Sequence, residues 1–141
     1  MRFIQSLISF VGRALLAAIF LASAIMGHIL KFDKYTEMVA AAGVPEPKLA
    51  HIAAVACMLI GGISLLLGFW ARLGALLLAI FLAGASYYFH NFWTLPAGSA
   101  EQEAQMIHFL KNVAMMGAML MIIANGPGAG AIDKRKVTLE V

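Results

Sequence analysis

The sequence predicts an all-α membrane protein: an antiparallel bundle of four transmembrane helices with both termini in the cytoplasm. Two observations carry the class. Apolar residues fill 62% of 141 positions and charged residues only 12%, about half the charged fraction with which a soluble domain faces water. The apolar residues are also gathered into four blocks, each approaching the ~20 residues that an α-helix needs to cross a hydrocarbon core of about 30 Å. β-Barrel spans would instead show segments of about ten residues with in–out alternation. These runs are continuous and rich in Ala, Leu, Met and Gly, and helices satisfy backbone groups internally within lipid.

The four spans fall near Leu7–Leu30, Leu49–Phe69, Leu73–Phe92 and Met106–Ala124, which leaves room for a single domain over 1–141. The first span loosely resembles a secretory signal, with Arg2 before the apolar run and Ala22-Ser23-Ala24 as a cleavage site. Arg13 interrupts that run, however, and apolar residues continue through Ile25, Met26, Ile29 and Leu30, so it reads as a retained helix. The first connection, Lys31–Lys48, holds a short helix over Tyr35–Ala42, stopped by Gly43-Val44-Pro45. Pro47 then helps to start the second span. Trp70-Ala71-Arg72 is so short a connection that the helices flanking it are antiparallel neighbours. The third connection, Thr94–Gln105, ends in Glu101 and Glu103, which suit the positive end of a helix dipole. Asn125-Gly126-Pro127-Gly128 ends the fourth helix, and the polar tail beyond reads as loosely ordered. Small residues, among them Gly61, Gly62, Gly68, Gly74, Ala75, Ala79, Gly84, Gly117 and Ala118, would let helices approach closely where lipid supplies no hydrophobic drive.

Basic residues set the orientation. Arg2, Arg13, Arg72 and Lys134-Arg135-Lys136 share one side. Lys31, Lys34 and Lys48, with Lys111 slightly inside the fourth helix, stand on the other beside Glu46, Glu101 and Glu103. The first side is therefore cytoplasmic. The net charge of +3 is explained by a tail near anionic lipid and calls for no nucleic acid. The lone Cys57 lies within a span, cannot form an internal disulfide, and reads as a small buried apolar residue.

Four histidines, His28, His51, His90 and His108, all fall at the outer helix ends. His28 reads as the end of helix one. On the fourth helix, His108, Lys111, Asn112 and Met115 recur at i, i+3, i+4 and i+7, a stripe that should point into the bundle. It reads either as a ligand or proton-handling site or as a snorkelling lysine beside an ordinary interhelical hydrogen bond. The run from Tyr87 to Trp93 makes an aromatic belt, which accounts less easily for His90 and Asn91, and the alternative is a pocket wall. Arg13 is either a headgroup anchor or the partner of Asp133 in a structural pair that clamps the C-terminus. Metal ligation is not predicted: no two histidines have the i, i+4 spacing of a helix-borne pair, and the methionines of the fourth helix fit core packing equally well.

These residues, in order, resemble the DoxX family of small bacterial inner-membrane proteins. The likeness runs through Gly12-Arg13 with Leu15–Phe20, Phe32, Gly43-Val44-Pro45, and Gly61–Gly68 followed by Arg72. It continues in Phe89-His90, Phe92-Trp93, Phe109-Leu110-Lys111-Asn112, and Gly126-Pro127-Gly128 before Ile132-Asp133. The resemblance implies a four-helix membrane bundle and, for some relatives, a role beside respiratory or redox enzymes, as in subunits of a thiosulfate:quinone oxidoreductase or partners in oxidant-defence complexes. Many relatives carry an acidic residue shortly before the paired glycines of helix two. Here Cys57-Met58-Leu59-Ile60 has no carboxylate, so chemistry relying on that acid lacks its group.

Two readings of function follow. In the first, a redox-linked membrane subunit binds a quinone-like or other small ligand in an outward pocket of His51, His90, Asn91, Trp93, His108, Lys111 and Asn112. Quinone is then its candidate cofactor, and a partner supplies the redox centre. In the second, a non-catalytic scaffold or assembly subunit holds another membrane protein, or further copies of itself, through its small-residue faces. A metal or solute carrier is a third, weaker alternative.

Overall fold

The computed structural model describes residues 2–133. Helix α1 (Arg2–Ala22) runs directly into a π-helical segment, Ser23–Ile29. Then come α2 (Phe32–Ala41), α3 (Pro47–Leu67), α4 (Ala71–Phe89), a 3₁₀ turn at Phe92–Thr94, and α5 (Ala100–Asn125), with no strand among the described residues. Four stretches are long and apolar enough to cross a membrane: Arg2–Ile29, Pro47–Leu67, Ala71–Thr94 and Ala100–Asn125. The predicted four-helix architecture is therefore present. Lys134-Arg135-Lys136, part of the basis for the orientation, lies outside the described residues.

The helix boundaries follow capping chemistry rather than hydropathy. α5 starts at Ala100, well before the apolar block at Met106, because the Ser99 hydroxyl accepts a hydrogen bond from the Gln102 amide at 3.1 Å. A serine N-cap satisfies one of the amides that a helix start leaves unpaired. Pro47 opens α3, where its missing N–H costs nothing. The turn between α3 and α4 is Gly68-Phe69-Trp70, with Ala71 and Arg72 already helical.

Each long helix packs on the next, α1 on α3, α3 on α4 and α4 on α5, while α2 lies against α3 and the π-helical segment. The core joins Ala17 and Phe20 of α1, Met58 and Leu65 of α3, Leu78 and Leu82 of α4, and Met119 of α5. α3 and α4 approach closest at their glycines. A Cβ on Gly61 would stand 2.5 Å from Leu78 Cγ and 2.9 Å from the Gly74 carbonyl oxygen. Not every small residue acts this way: a Cβ on Gly84 or Gly117 would meet nothing within 4 Å, so those two do not join the helices of one chain.

The tail departs from expectation. Residues 126–133 fold back beneath α1 and the α3–α4 turn instead of hanging loose. The Ile132 and Asp133 amides donate to the carbonyls of Leu67 at 3.3 Å and Gly68 at 2.7 Å. Arg13 and Asp133 both hold this tail, but through backbone partners rather than as the expected pair. The Arg13 guanidinium, 4% exposed, donates to the carbonyls of Pro127 (2.8 Å), Ala129 (3.3 Å) and Gly130 (3.3 Å). The Asp133 carboxylate accepts from the Trp70 and Ala71 amides, both at 3.0 Å. Non-helical carbonyls need a donor, and the first amides of α4 need an acceptor, whose negative charge the helix dipole also favours. Those unpaired groups take the two charges. The carboxylate also holds Trp70 at φ 49°, a left-handed conformation uncommon for a non-glycine residue.

Two stability outcomes follow, each read as a thermal midpoint in mild detergent. Gly61→Ala should destabilise by about 1–3 kcal/mol through overpacking, while Gly117→Ala stays within about 0.5 kcal/mol of the parent; equal effects would refute the close crossing. Asp133→Ala should cost about 1–2 kcal/mol by uncapping α4, and an unchanged midpoint would show that the tail contributes nothing.

Candidate functional site

At the end of the bundle opposite the tail, the histidines meet in two pairs. The first pair depends on the π-helical segment. Its wider turn gives Leu30 N a bond to Ile25 O at 3.2 Å, five residues back, and so shifts the register of everything after it. His28 thereby turns toward α3, where its Nδ1 and His51 Nε2 share a hydrogen bond of 3.0 Å. His51 Nδ1 and Thr36 Oγ1 stand 2.8 Å apart, and the Thr36 hydroxyl donates to the Phe32 carbonyl at 2.9 Å. Phe32 stacks on the His51 ring at 4.5 Å, and the Tyr35 ring lies 4.3 Å from that of His28. Helix α2 thus closes over His51, which is fully buried.

The second pair is His90 and His108, stacked at 5.2 Å. His90 Nδ1 donates to Gln105 Oε1 at 2.8 Å, and the Lys111 ammonium donates to His108 Nδ1 at 3.2 Å. One turn deeper, the Asn112 amide donates to Ser86 Oγ at 3.2 Å; the two residues are 5% and 3% exposed. The stripe on α5 therefore splits. Asn112 points inward, while His108 and Lys111 are exposed. Near them, Phe92, Trp93 and Phe109 pack edge to face, and the Asn91 carbonyl accepts from the amide and hydroxyl of Thr94.

A cavity of about 580 Å³ lies between the two pairs. His28, Tyr35 and His51 line it on one side, and His90, Lys111 and Asn112 on the other. Its remaining walls are mostly apolar, with Phe20, Met58, Phe81 and Met115 among them and the hydroxyl residues Ser23 and Tyr88 added. Of the residues singled out in the sequence, His51, His90, Lys111 and Asn112 reach the cavity, whereas Asn91, Trp93 and His108 lie outside its lining. Sequence reasoning missed His28, Tyr35 and Thr36. A π-helical register leaves no mark on hydropathy. The nearest signal is Gly27, where a Cβ would come within 3.3 Å of the Tyr35 hydroxyl.

Four apolar spans, a short helix closing one end and a histidine-lined cavity beneath it define a small multi-pass membrane protein with a built interior site. The chain belongs to the DoxX family, whose profile matches residues 8–91. It is similar to the inner membrane protein YphA of Escherichia coli, at 34% identity over 107 residues, covering 76% of this chain and 75% of that one. The inner membrane protein YqjF of the same organism is 28% identical over 124 residues, 88% of each chain. A Surfeit locus protein 4 homolog of Schizosaccharomyces pombe is 28% identical over 89 residues, 62% of this chain but only 28% of that protein. No solved structure matches. The protein is thus a small integral inner-membrane protein of the DoxX family.

The Asn112–Ser86 contact can be checked directly. Ser86→Ala should lower the thermal midpoint by the equivalent of about 0.6–1.7 kcal/mol, the range for interhelical hydrogen bonds within membranes. No change would mean that the contact does not join α4 to α5.

Proposed function

We propose that the cavity binds a small amphipathic ring compound of the quinone class, and that the protein is the ligand-holding membrane subunit of a redox system whose electron-carrying centre resides on a partner. The observation that carries this reading is that one cavity is lined by polar groups from both histidine pairs and by mostly apolar walls. Such sites bind by enclosing apolar surface and fix orientation with a few convergent polar groups, and about 580 Å³ falls within their usual range of roughly 300–1,000 Å³. Lys111 offers a cationic donor to a ring oxygen, and the aromatic and methionine walls suit a flat ring. The chain's own residues bind and orient; electron transfer belongs to the partner. On the positive-inside reading of its basic residues, this end of the bundle faces outward, away from the cytoplasm.

The second reading, a scaffold or assembly subunit, draws support from Gly117, whose open surface would let a helix of another membrane protein or of a second copy approach closely.

Purification in mild detergent followed by solvent extraction decides between them. Quinone should co-purify in near-stoichiometric amount and fall by about tenfold in Lys111→Ala, a loss equivalent to about 1.4 kcal/mol, with the thermal midpoint unchanged. Protein that carries no extractable ring compound, yet stays bound to a membrane enzyme regardless of that substitution, would establish the scaffold reading instead.

A further inference from the structure

The hydrogen-bond chain at the first histidine pair dictates where each proton sits. A carbonyl oxygen only accepts, so the Thr36 proton lies on its bond to Phe32 O at 2.9 Å. Thr36 Oγ1 is then left as an acceptor, and the 2.8 Å contact with His51 Nδ1 requires a proton on that nitrogen. A neutral imidazole carries one N–H, so His51 Nε2 is a bare lone pair, and the 3.0 Å bond to His28 takes its proton from His28 Nδ1. The reversed order would turn the Thr36 proton toward His51 and leave two oxygens facing each other at 2.9 Å with no proton between them. His51 is fully buried, so water does not repair that mismatch. Within this pair the one ring nitrogen left over is His28 Nε2, on a ring that lines the cavity, and it is an acceptor without a hydrogen-bond partner among the described residues.

We infer that the cavity selects the hydroxyl-bearing, reduced form of its ring ligand, with His28 Nε2 accepting a hydrogen bond from the ligand's hydroxyl. The inference rests on the reading that the cavity holds a ring compound, and it names which oxidation state of that compound is held. A carbonyl oxygen at this position would set lone pair against lone pair, whereas a hydroxyl supplies the missing proton. Sites arranged to hydrogen-bond a hydroxyl discriminate strongly against analogues that lack it, because the site's own group is then left unpaired. Lys111, on the opposite wall, donates to whichever oxygen faces it and does not distinguish the two forms. Thr36 is a positioning residue: it touches no ligand and acts by fixing the His51 tautomer, which in turn fixes that of His28.

Binding of naphthol, its methyl ether and naphthoquinone to the full-length protein in mild detergent tests this. Naphthol should bind about tenfold more tightly than either analogue, the equivalent of about 1.4 kcal/mol. In Thr36→Val the preference should collapse toward unity, because His51 Nδ1 loses its acceptor and the proton order is released. Nitrogen NMR of histidine-labelled protein supplies a readout independent of any ligand: His28 and His51 should both carry their proton on Nδ1. An Nε2–H tautomer at His28, or naphthoquinone binding as tightly as naphthol, overturns the inference while leaving the ring-ligand reading intact. Failure of all three probes to bind overturns that reading, and the inference with it.

Discussion

The crossing of α3 and α4 at Gly61 and Gly74 is the contact on which the remainder of the bundle is assembled. Lipid chains are as apolar as leucine, so these helices gain nothing by hiding side chains from their solvent and must gain from close packing instead. With no side chain at either glycine, the two backbones come near enough for Leu78 to fill the space that a Cβ at position 61 would take. The hairpin so made offers two faces. α1 seats Ala17 and Phe20 on one, and α5 seats Met119 on the other. The side chains that meet at the centre are apolar, which leaves the polar groups to the two ends of the bundle.

At one end those polar groups are the histidines. A polar group at this depth has only protein to bond with, and leaving it unpaired is expensive. The chain answers with short-range devices: a π-helical segment that turns His28 toward α3, and a short helix that brings Thr36 and Phe32 down on His51. Each histidine gains a partner, and space for an occupant remains between the pairs. The second pair lies nearer the surface, with Lys111 at its rim. The site therefore grades from a dry, fixed corner at His51 to an exposed corner at Lys111.

Much of this was legible in the amino-acid sequence, because the membrane is a demanding solvent. Four apolar blocks of helix-spanning length leave few alternatives, and the order of Gly, Arg and aromatic motifs placed the chain in its family. Polar residues within spans are rare enough to stand out, so His51, His90, Lys111 and Asn112 could be picked individually. Three things escaped for identifiable reasons. Helix starts depend on capping, which a hydropathy average does not weigh, as Ser99 shows. The π-helical register is a backbone event with no compositional signature, so His28 read as a helix end rather than half of a hydrogen-bonded pair. For Arg13 and Asp133, opposite charges in the sequence suggested each other, whereas unpaired carbonyls and helix amides are equally good partners and lay closer.

Arg13 carries one more implication, for the order in which the protein is made. Its guanidinium sits in α1, ahead of every other span in the chain, yet the carbonyls that receive it belong to residues 127–130, beyond the last span. Synthesis runs from the N-terminus, so α1 is made before the carbonyls that compensate this charge. The contact between α1 and residues 127–130 therefore closes only after all four spans have been made. A chain interrupted before residue 127 would leave the Arg13 guanidinium without any of these carbonyl partners.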